Sequence, residues 1–227
     1  MLQGAELRSA LGEDDQPTIV CAQAGNVNSG AFDPLGESCD VAQRHQAWVH
    51  VDGAFGLWAA VSTRLRHLIA GFERADSWAT DAHKWLNVPY DSGVSICRHP
   101  HAHRAAMGVR ASYLVHSEGA KERDQMDWNP EFSRRARGFP VYVALKSLGT
   151  SGVVELIERC CAHARTFAAL LSEEPDIEVL NDVVLNQALV RFLADDGDHD
   201  ARTRRVIERV QHDGTSWFGA AGGGGCK

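Results

Sequence analysis

The sequence predicts an α/β fold in which short buried strands alternate with helices. Two short, largely apolar runs, Thr18–Ala22 and Trp48–Val51, are typical of buried parallel strands. A helical pattern over Pro34–His45 separates them, and a third strand is predicted at Ser77–Thr80 after the amphipathic segment Arg64–Gly71. Strands and helices in this order form a mostly parallel sheet whose strand ends meet along one edge.

The other elements extend this sheet and add a smaller unit. We predict that residues 1–138 are part of a large domain with a long polar loop at 112–130, and that residues 139–227 form a small α+β domain. This small domain is expected to be incomplete, because a packed strand cannot continue through the glycine run 222–225 without a large entropic cost. The further predicted elements are helices within Met1–Gln16, Phe139–Leu148, Gly152–Leu171 and Asp200–His212, and strands at Ser92–Cys97, Ile177–Leu180 and Gln187–Leu193.

The charge balance and the apolar pattern narrow the classes of partner. The chain carries 23 Lys and Arg against 30 Asp and Glu, a formal net charge of −7, whereas nucleic acids and anionic membranes need clustered cations. No apolar stretch reaches the roughly 18 residues of a membrane span, and Met1–Gly4 lacks the blocks of a signal peptide. We therefore expect a small-molecule partner, no nucleic acid, no membrane and a cytoplasmic location.

The cysteine and histidine spacings do not predict a metal site. The six cysteines show no C-x-x-C spacing and mostly lie within apolar patterns, which favours reduced core thiols over disulfides or zinc. Alternating histidines in His99–His103 would share one side only in an extended chain, whereas Pro100 followed by Arg104–Met107 indicates a solvated helix start.

An acid and a lysine follow two neighbouring strands of the predicted sheet. Asp52 ends the Trp48–Val51 run and precedes small residues, and Lys84 follows the next strand at a distance of about one βαβ unit. Either residue alone is explained as well by a helix cap or a solvated charge. Together at the carboxyl edge they fit pyridoxal phosphate, whose aldehyde needs a lysine amine and whose ring nitrogen needs a carboxylate.

The residues around this pair resemble a known family. His50-Val51-Asp52-Gly53-Ala54 and Asp81-Ala82-His83-Lys84-Trp85 are similar to the H-V-D-A-A and N/D-x-H-K-W motifs of the group II pyridoxal-phosphate-dependent decarboxylases. The resemblance implies part of a fold-type-I large domain and decarboxylation of an L-amino acid through a Schiff base and a quinonoid. It also implies roles for individual residues: Lys84 binds the cofactor covalently, Asp52 pairs with its pyridine nitrogen, Ala54 packs on the ring, and His83 and Asp81 lie on the phosphate side.

The segment Gly25–Pro34 adds a weaker resemblance. It is similar to the family's G-T-T-x-x-G-A-x-D-P loop beside the cofactor, although Asn26, Val27 and Asn28 stand where threonines are usual. Its glycines permit close backbone approach to a ligand. From this loop we assign only Asn28 as a cofactor-binding residue.

Two further segments bear on the reaction type. In the family, the region matching loop 112–130 closes over a neighbouring subunit's site and carries a tyrosine that protonates the substrate carbanion. Here Gln125 falls near that place and Tyr113 lies too far upstream, and an amide is no useful acid. An aminotransferase or an aldehyde-forming relative therefore stays open. The segment 134–137 resembles the family's R-R-x-R near the substrate, but solvated cations explain it equally well.

The resemblance covers roughly residues 18–218 and only part of the family's length. We therefore expect a partial chain, with a non-catalytic fragment as the alternative to an active enzyme. The family builds each site from two subunits, so a homodimer is expected of the complete enzyme. An exposed apolar patch is expected wherever that interface is missing.

Overall fold

A four-stranded sheet forms the centre of the fold. The computed structural model describes residues 2–12, 16–108 and 124–221. Strands β1 (Ile19–Gln23), β2 (Trp48–Asp52) and β3 (Ser77–Asp81) are parallel and lie in sequence order, and β4 (Gly93–Cys97) pairs with β3. The predicted α/β fold with a mostly parallel sheet is confirmed.

Strand β4 runs antiparallel to β3, in contrast to the other pairs. A parallel partner needs a crossover of a dozen or more residues, usually with a full helix. The connection from Asp81 to Gly93 contains only a four-residue helix, so the chain turns back on itself. This short return keeps the residues after β3 at the sheet edge.

Six helices and a two-stranded sheet complete the described part of the chain. Helix α5 (Gly138–Leu171) contains Gly149 in a non-helical conformation (φ 63°, ψ 179°), which confirms two helical pieces with a break between them. The amphipathic segment Arg64–Gly71 forms a short 3₁₀ turn at Arg66–Ile69. The helices are α1 (Gly4–Leu11), α2 (Leu35–Arg44), α3 (Ala82–Trp85), α4 (Pro100–Met107), α5 (Gly138–Leu171) and α6 (His199–Asp213), and β5 (Ile177–Val179) pairs antiparallel with β6 (Val190–Phe192).

One hydrophobic core joins the sheet to α5. Val49 and Val51 of β2 are buried on the face that α2 covers, and Val153 and Ile157 of α5 belong to the same cluster. The sequence predicted a buried stripe on α5 that included Phe167, but this side chain is 40% exposed. The buried line instead continues through Cys161 and Ala168, since α5 packs mainly through its middle turns.

The small antiparallel unit packs against the loop after β1. The Asn181 side chain donates a hydrogen bond to the Ser29 carbonyl oxygen at 2.8 Å, and Leu185 is fully buried in the common core. The domain boundary at residue 138 remains a prediction. Among the described residues, no helix combines the length and apolar content that a bilayer crossing requires.

Candidate active site

The two sequence motifs meet at the carboxyl edge of the sheet. Asp52 lies opposite Ala79 in the β2–β3 register, and the Gly53 N–H donates to the Ala79 carbonyl at 2.9 Å. The Asp81 N–H approaches the Ala54 carbonyl at 3.4 Å. The backbone therefore fixes the turn after β2 beside the start of α3, as the spacing predicted.

Helix α3 presents Lys84 at this edge because its other side is anchored in the core. Ala82 and Trp85 are buried, which directs Lys84 outwards with 27% of its side chain exposed. Its Nζ lies 2.8 Å from Asp81 Oδ2 and 4.0 Å from the centroid of the Phe55 ring. A carboxylate and an aromatic face thus hold the ammonium from two directions.

His83 links the site to the segment before β4. Its Nδ1 lies 2.8 Å from the Ser92 carbonyl oxygen and 3.1 Å from the Ser92 nitrogen. One of the two is a hydrogen bond at a time: a protonated Nδ1 donates to the carbonyl, and a bare Nδ1 accepts the N–H. Its Nε2 is 3.7 Å from Asp81 Oδ2, and the Tyr90 ring stacks against the imidazole at 4.1 Å.

The Asp52 carboxylate is free for a ligand, unlike that of Asp81. Its one described contact is the hydrogen bond that it accepts from the Ala54 N–H at 3.1 Å. Asp52 is exposed, and within the described residues it forms no ion pair. A carboxylate in this condition can accept a proton or a hydrogen bond from a bound ring nitrogen.

Asp91 is a site-neighbouring residue that the sequence reasoning missed. It accepts from Arg135 at 2.7 Å and from Arg137 at 3.0 Å, while Arg135 also donates to the Tyr90 carbonyl at 2.6 Å. The Arg137 guanidinium is the main cause that lowers the pKa of Asp91. The charge of the predicted basic patch is therefore partly neutralised. The sequence signal that could have identified Asp91 is an acidic residue six positions after the Asp81–Trp85 motif.

The structure places Asn28 on the exposed rim of the loop after β1. Its N–H donates to Asn26 Oδ1 at 2.9 Å, and it forms no described hydrogen bond with Lys84 or Asp52. The space beside Gly25 is filled by the protein's own backbone, not by a ligand: a Cβ on Gly25 would lie 2.7 Å from the Gly56 nitrogen. The cofactor-binding role of Asn28 remains a prediction.

Gln125 begins a short 3₁₀ turn, Gln125–Asp127, that packs on α4. Arg104 of α4 binds the buried Asp127 carboxylate at 2.6 Å, and the His103 and Trp128 rings meet edge to face at 5.3 Å. Most of the predicted mobile loop, together with Tyr113, lies outside the described residues. Helix α4 also confirms the predicted helical start after His99.

An amine and a free carboxylate at the carboxyl edge of an α/β sheet define a site suited to a covalently held aldehyde. The family described as "Pyridoxal-dependent decarboxylase conserved domain" matches residues 1–194. The chain therefore belongs to the pyridoxal-dependent decarboxylase family. The assignment made from the two motifs is confirmed.

Relatives and solved structures agree with this assignment. The chain is 32% identical to Tryptophan decarboxylase 1 of Oryza sativa subsp. japonica, covering 88% of the chain and 41% of that protein. It is 30% identical to Aromatic-L-amino-acid decarboxylase of Drosophila lebanonensis, covering 92% of the chain and 53% of that protein. The structure of Oryza sativa TDC with PLP and tryptamine superimposes with a TM-score of 0.90 at 30% identity, covering 98% of the chain and 48% of that structure.

These matches identify the fold as part of a fold-type-I pyridoxal-phosphate enzyme. The structure of Rhodiola rosea 4-hydroxyphenylacetaldehyde synthase is also similar, with a TM-score of 0.86 at 25% identity over 98% of the chain and 47% of that structure. The chain spans roughly half or less of the curated relatives it matches. The prediction of a partial chain is confirmed in this sense.

Proposed function

We propose that this protein binds pyridoxal 5'-phosphate through Lys84 and decarboxylates an L-amino acid. The observation that carries the proposal is the placement of the Lys84 amine and the free Asp52 carboxylate at one sheet edge. Named relatives act on tryptophan, tyrosine and DOPA, which supports an aromatic amino acid as the substrate. The alternative of a non-catalytic fragment predicts cofactor binding without turnover.

The residues at the edge fit the cofactor in different degrees. When bound, pyridoxal phosphate supplies an electron sink for the electron pair that remains when carbon dioxide leaves. Lys84 supplies the amine, Asp52 the acceptor for the ring nitrogen, and Ala54 a small apolar contact. His83 is proposed on the phosphate side, and Asn28 on the loop rim is proposed as a further cofactor-binding residue. For Asp81 we propose a role at Lys84 instead of the predicted phosphate contact, because its carboxylate faces the Lys84 ammonium and would repel a phosphate.

Formation of an aldehyde is the second candidate reaction. It is favoured by Gln125, an amide near the place of the family's acidic tyrosine, and by the likeness to 4-hydroxyphenylacetaldehyde synthase. Product analysis with an aromatic L-amino acid separates the candidates. An amine with carbon dioxide supports decarboxylation, an aldehyde supports the second candidate, and a keto acid without carbon dioxide supports an aminotransferase.

We also propose a homodimer and a cytoplasmic location. Exposed apolar side chains on the first half of α5, including Phe139, Tyr142 and Val143, support an association surface there. Sedimentation of the complete enzyme tests the dimer: a stable monomer with full activity would contradict it. Fractionation of the source cells tests the location.

The test of the main proposal compares Lys84→Ala and Asp52→Ala with the unchanged enzyme. Lys84→Ala should abolish covalent incorporation of the cofactor after borohydride reduction, because the amine is lost. Asp52→Ala should retain incorporation yet slow turnover at least about 100-fold, because the transition state loses a preorganised charge.

Lys146→Ala is the matched control for the labelling readout, since it removes an exposed lysine of α5 and should leave incorporation at Lys84 unchanged. Two results would overturn the proposal. One is incorporation that persists at the same level without Lys84, and the other is near-normal turnover without Asp52.

A further inference from the structure

The Lys84 side chain is already engaged before any aldehyde arrives. Its ammonium is 2.8 Å from Asp81 Oδ2, and both side chains are less than one third exposed. The Phe55 ring covers a second side of the ammonium, with its centroid 4.0 Å from Lys84 Nζ. An amine in solution has neither contact, so both must be accounted for in the reactivity of this residue.

The Asp81 carboxylate stands on backbone that its own strand and neighbouring elements hold in place. Asp81 is the last residue of β3, directly opposite Gly93 of β4, where a Cβ would lie 3.4 Å from Asp81 Oδ1. Its N–H faces the Ala54 carbonyl, and His83 Nε2 is 3.7 Å from its Oδ2. The backbone that carries this carboxylate is therefore fixed, whereas the longer lysine side chain has more freedom to move.

We infer that Asp81 is a latch on Lys84: it holds the ammonium in place, and the ion pair must break before the amine reacts with an aldehyde. This inference rests on the proposed function, in which Lys84 is the reacting amine. It assigns Asp81 to control of the nucleophile in place of the predicted phosphate contact.

The chemistry of imine formation predicts whether Asp81 slows or speeds the reaction of Lys84. An ammonium has no lone pair, so its proton must first pass to water. The amine then adds to the aldehyde carbon, and loss of one water molecule leaves a carbon–nitrogen double bond. A carboxylate that stabilises the ammonium slows this sequence. A carboxylate that acted as the base would speed it, so the sign of the effect decides between the two roles.

The experiment measures amine reactivity with a neutral aldehyde that lacks phosphate. The full chain is treated with pyridine-4-carboxaldehyde and cyanoborohydride, which delivers hydride to the imine carbon and leaves a stable secondary amine. Peptide mass spectrometry gives the labelling rate at Lys84 relative to exposed Lys146 in the same molecule. Asp81→Asn should raise this ratio about two- to fivefold, the range that ion pairs of this exposure contribute.

Three further comparisons isolate the ion pair. Phe55→Leu keeps an apolar side chain but removes the aromatic face, and should raise the ratio by a smaller factor. Glu178→Gln is the matched control, because it breaks an exposed ion pair with Arg191 on the β5–β6 hairpin and should leave the ratio unchanged. In the unchanged chain, added salt should raise the ratio, because screening weakens the pair, whereas the Asp81→Asn ratio should stay constant.

The outcomes distinguish a failure of the latch from a failure of the proposed function. A ratio that is unchanged or lower in Asp81→Asn, in a variant with unaltered circular dichroism, overturns the latch. If that variant does not fold, a salt-independent ratio in the unchanged chain overturns it. Pyridoxal phosphate labelling of Lys84 is measured in parallel: its absence together with a raised neutral-aldehyde ratio would contradict the proposed function and leave the latch standing.

Discussion

A similar trio of residues lies near each end of strand β3, and the two trios differ in the contacts of their acidic residue. At its amino end, Asp76 contacts His99 Nε2 at 2.8 Å, and the Trp48 ring lies 5.2 Å from that imidazole. At its carboxyl end, Asp81 lies 3.7 Å from His83 Nε2, with the Tyr90 ring against the imidazole. We call these the amino-end cluster (Asp76, His99, Trp48) and the carboxyl-end cluster (Asp81, His83, Tyr90).

The difference between the clusters lies in the partners of the acid. Asp76 Oδ2 accepts the Val49 backbone N–H at 2.8 Å, so this carboxylate completes the pairing of the sheet. Among the described residues, Asp81 Oδ2 faces the side chains of Lys84 and His83, which can move away. An acid, a histidine and an aromatic ring therefore do not distinguish the two ends of the strand; the lysine at the carboxyl end, which we propose as the reacting amine, does.

The amino-end cluster should carry the larger share of stability. Asp76→Ala should lower the free energy of unfolding by about 2–3 kcal/mol, because the N–H of buried Val49 loses a charged acceptor. Urea unfolding at pH 7 measures this. Asp76→Asn is the companion variant and should recover part of the loss, since its carbonyl can still accept. A loss below about 0.5 kcal/mol in Asp76→Ala would contradict a structural role.

The comparison has to be made below pH 9, because a core thiol adds its own pH dependence. Burial raises the pKa of Cys161 from 9.0 to about 11, so the folded state keeps a proton that the unfolded state releases. This contribution is complete below pH 9 and is lost as the pH rises towards 11. We expect a loss of about 1–3 kcal/mol over that interval.

Urea unfolding at pH 8 and pH 10.5 measures this loss in the unchanged chain and in Cys161→Ala. The variant should show a shallower fall, although its stability at pH 8 is itself lower from lost packing. Equal falls in both proteins would show that Cys161 does not cause the alkaline loss.

The carboxyl-end cluster should contribute least to stability. Asp81→Asn should change the free energy of unfolding by less than about 0.5 kcal/mol, because a partly exposed ion pair gains little over hydration. The measurement is the same urea titration at pH 7. A loss as large as that of Asp76→Ala would show that both clusters are structural and would remove the contrast between them.

Local patterns predicted the sheet edge well. The spacing of Asp52 and Lys84 placed both at the carboxyl ends of adjacent strands, since the strand period and one crossover fix that geometry. The family motifs then suggested roles for Lys84 and Asp52, which stay proposals. The break near Gly149 was equally readable, because a glycine between two apolar periodicities predicts it.

Features that depend on long-range contacts could not be read in this way. The position of Asp91 after the Asp81–Trp85 motif is visible in the sequence, but its pairing with Arg135 and Arg137 joins segments that are far apart in the chain, and no local pattern reveals that pairing. The burial of Ala168 in place of Phe167 depends on how α5 is rotated against the elements that it packs on. The capture of Lys84 by Asp81 depends on the helical turn that begins at Ala82, which is too short to show a periodicity.

The contact between Gly25 and Gly56 limits how this protein can change over evolution. Most tight contacts between two residues can be relieved when the neighbour is replaced by a smaller one. Here both partners are already glycine, and a Cβ on Gly25 would lie 2.9 Å from the Gly56 Cα. A side chain at Gly25 therefore has no compensating change at Gly56, and a Cβ on Gly56 would lie 2.5 Å from the Ala24 carbonyl oxygen. Lineages of this sequence should keep both glycines even if the proposed chemistry at Lys84 is lost.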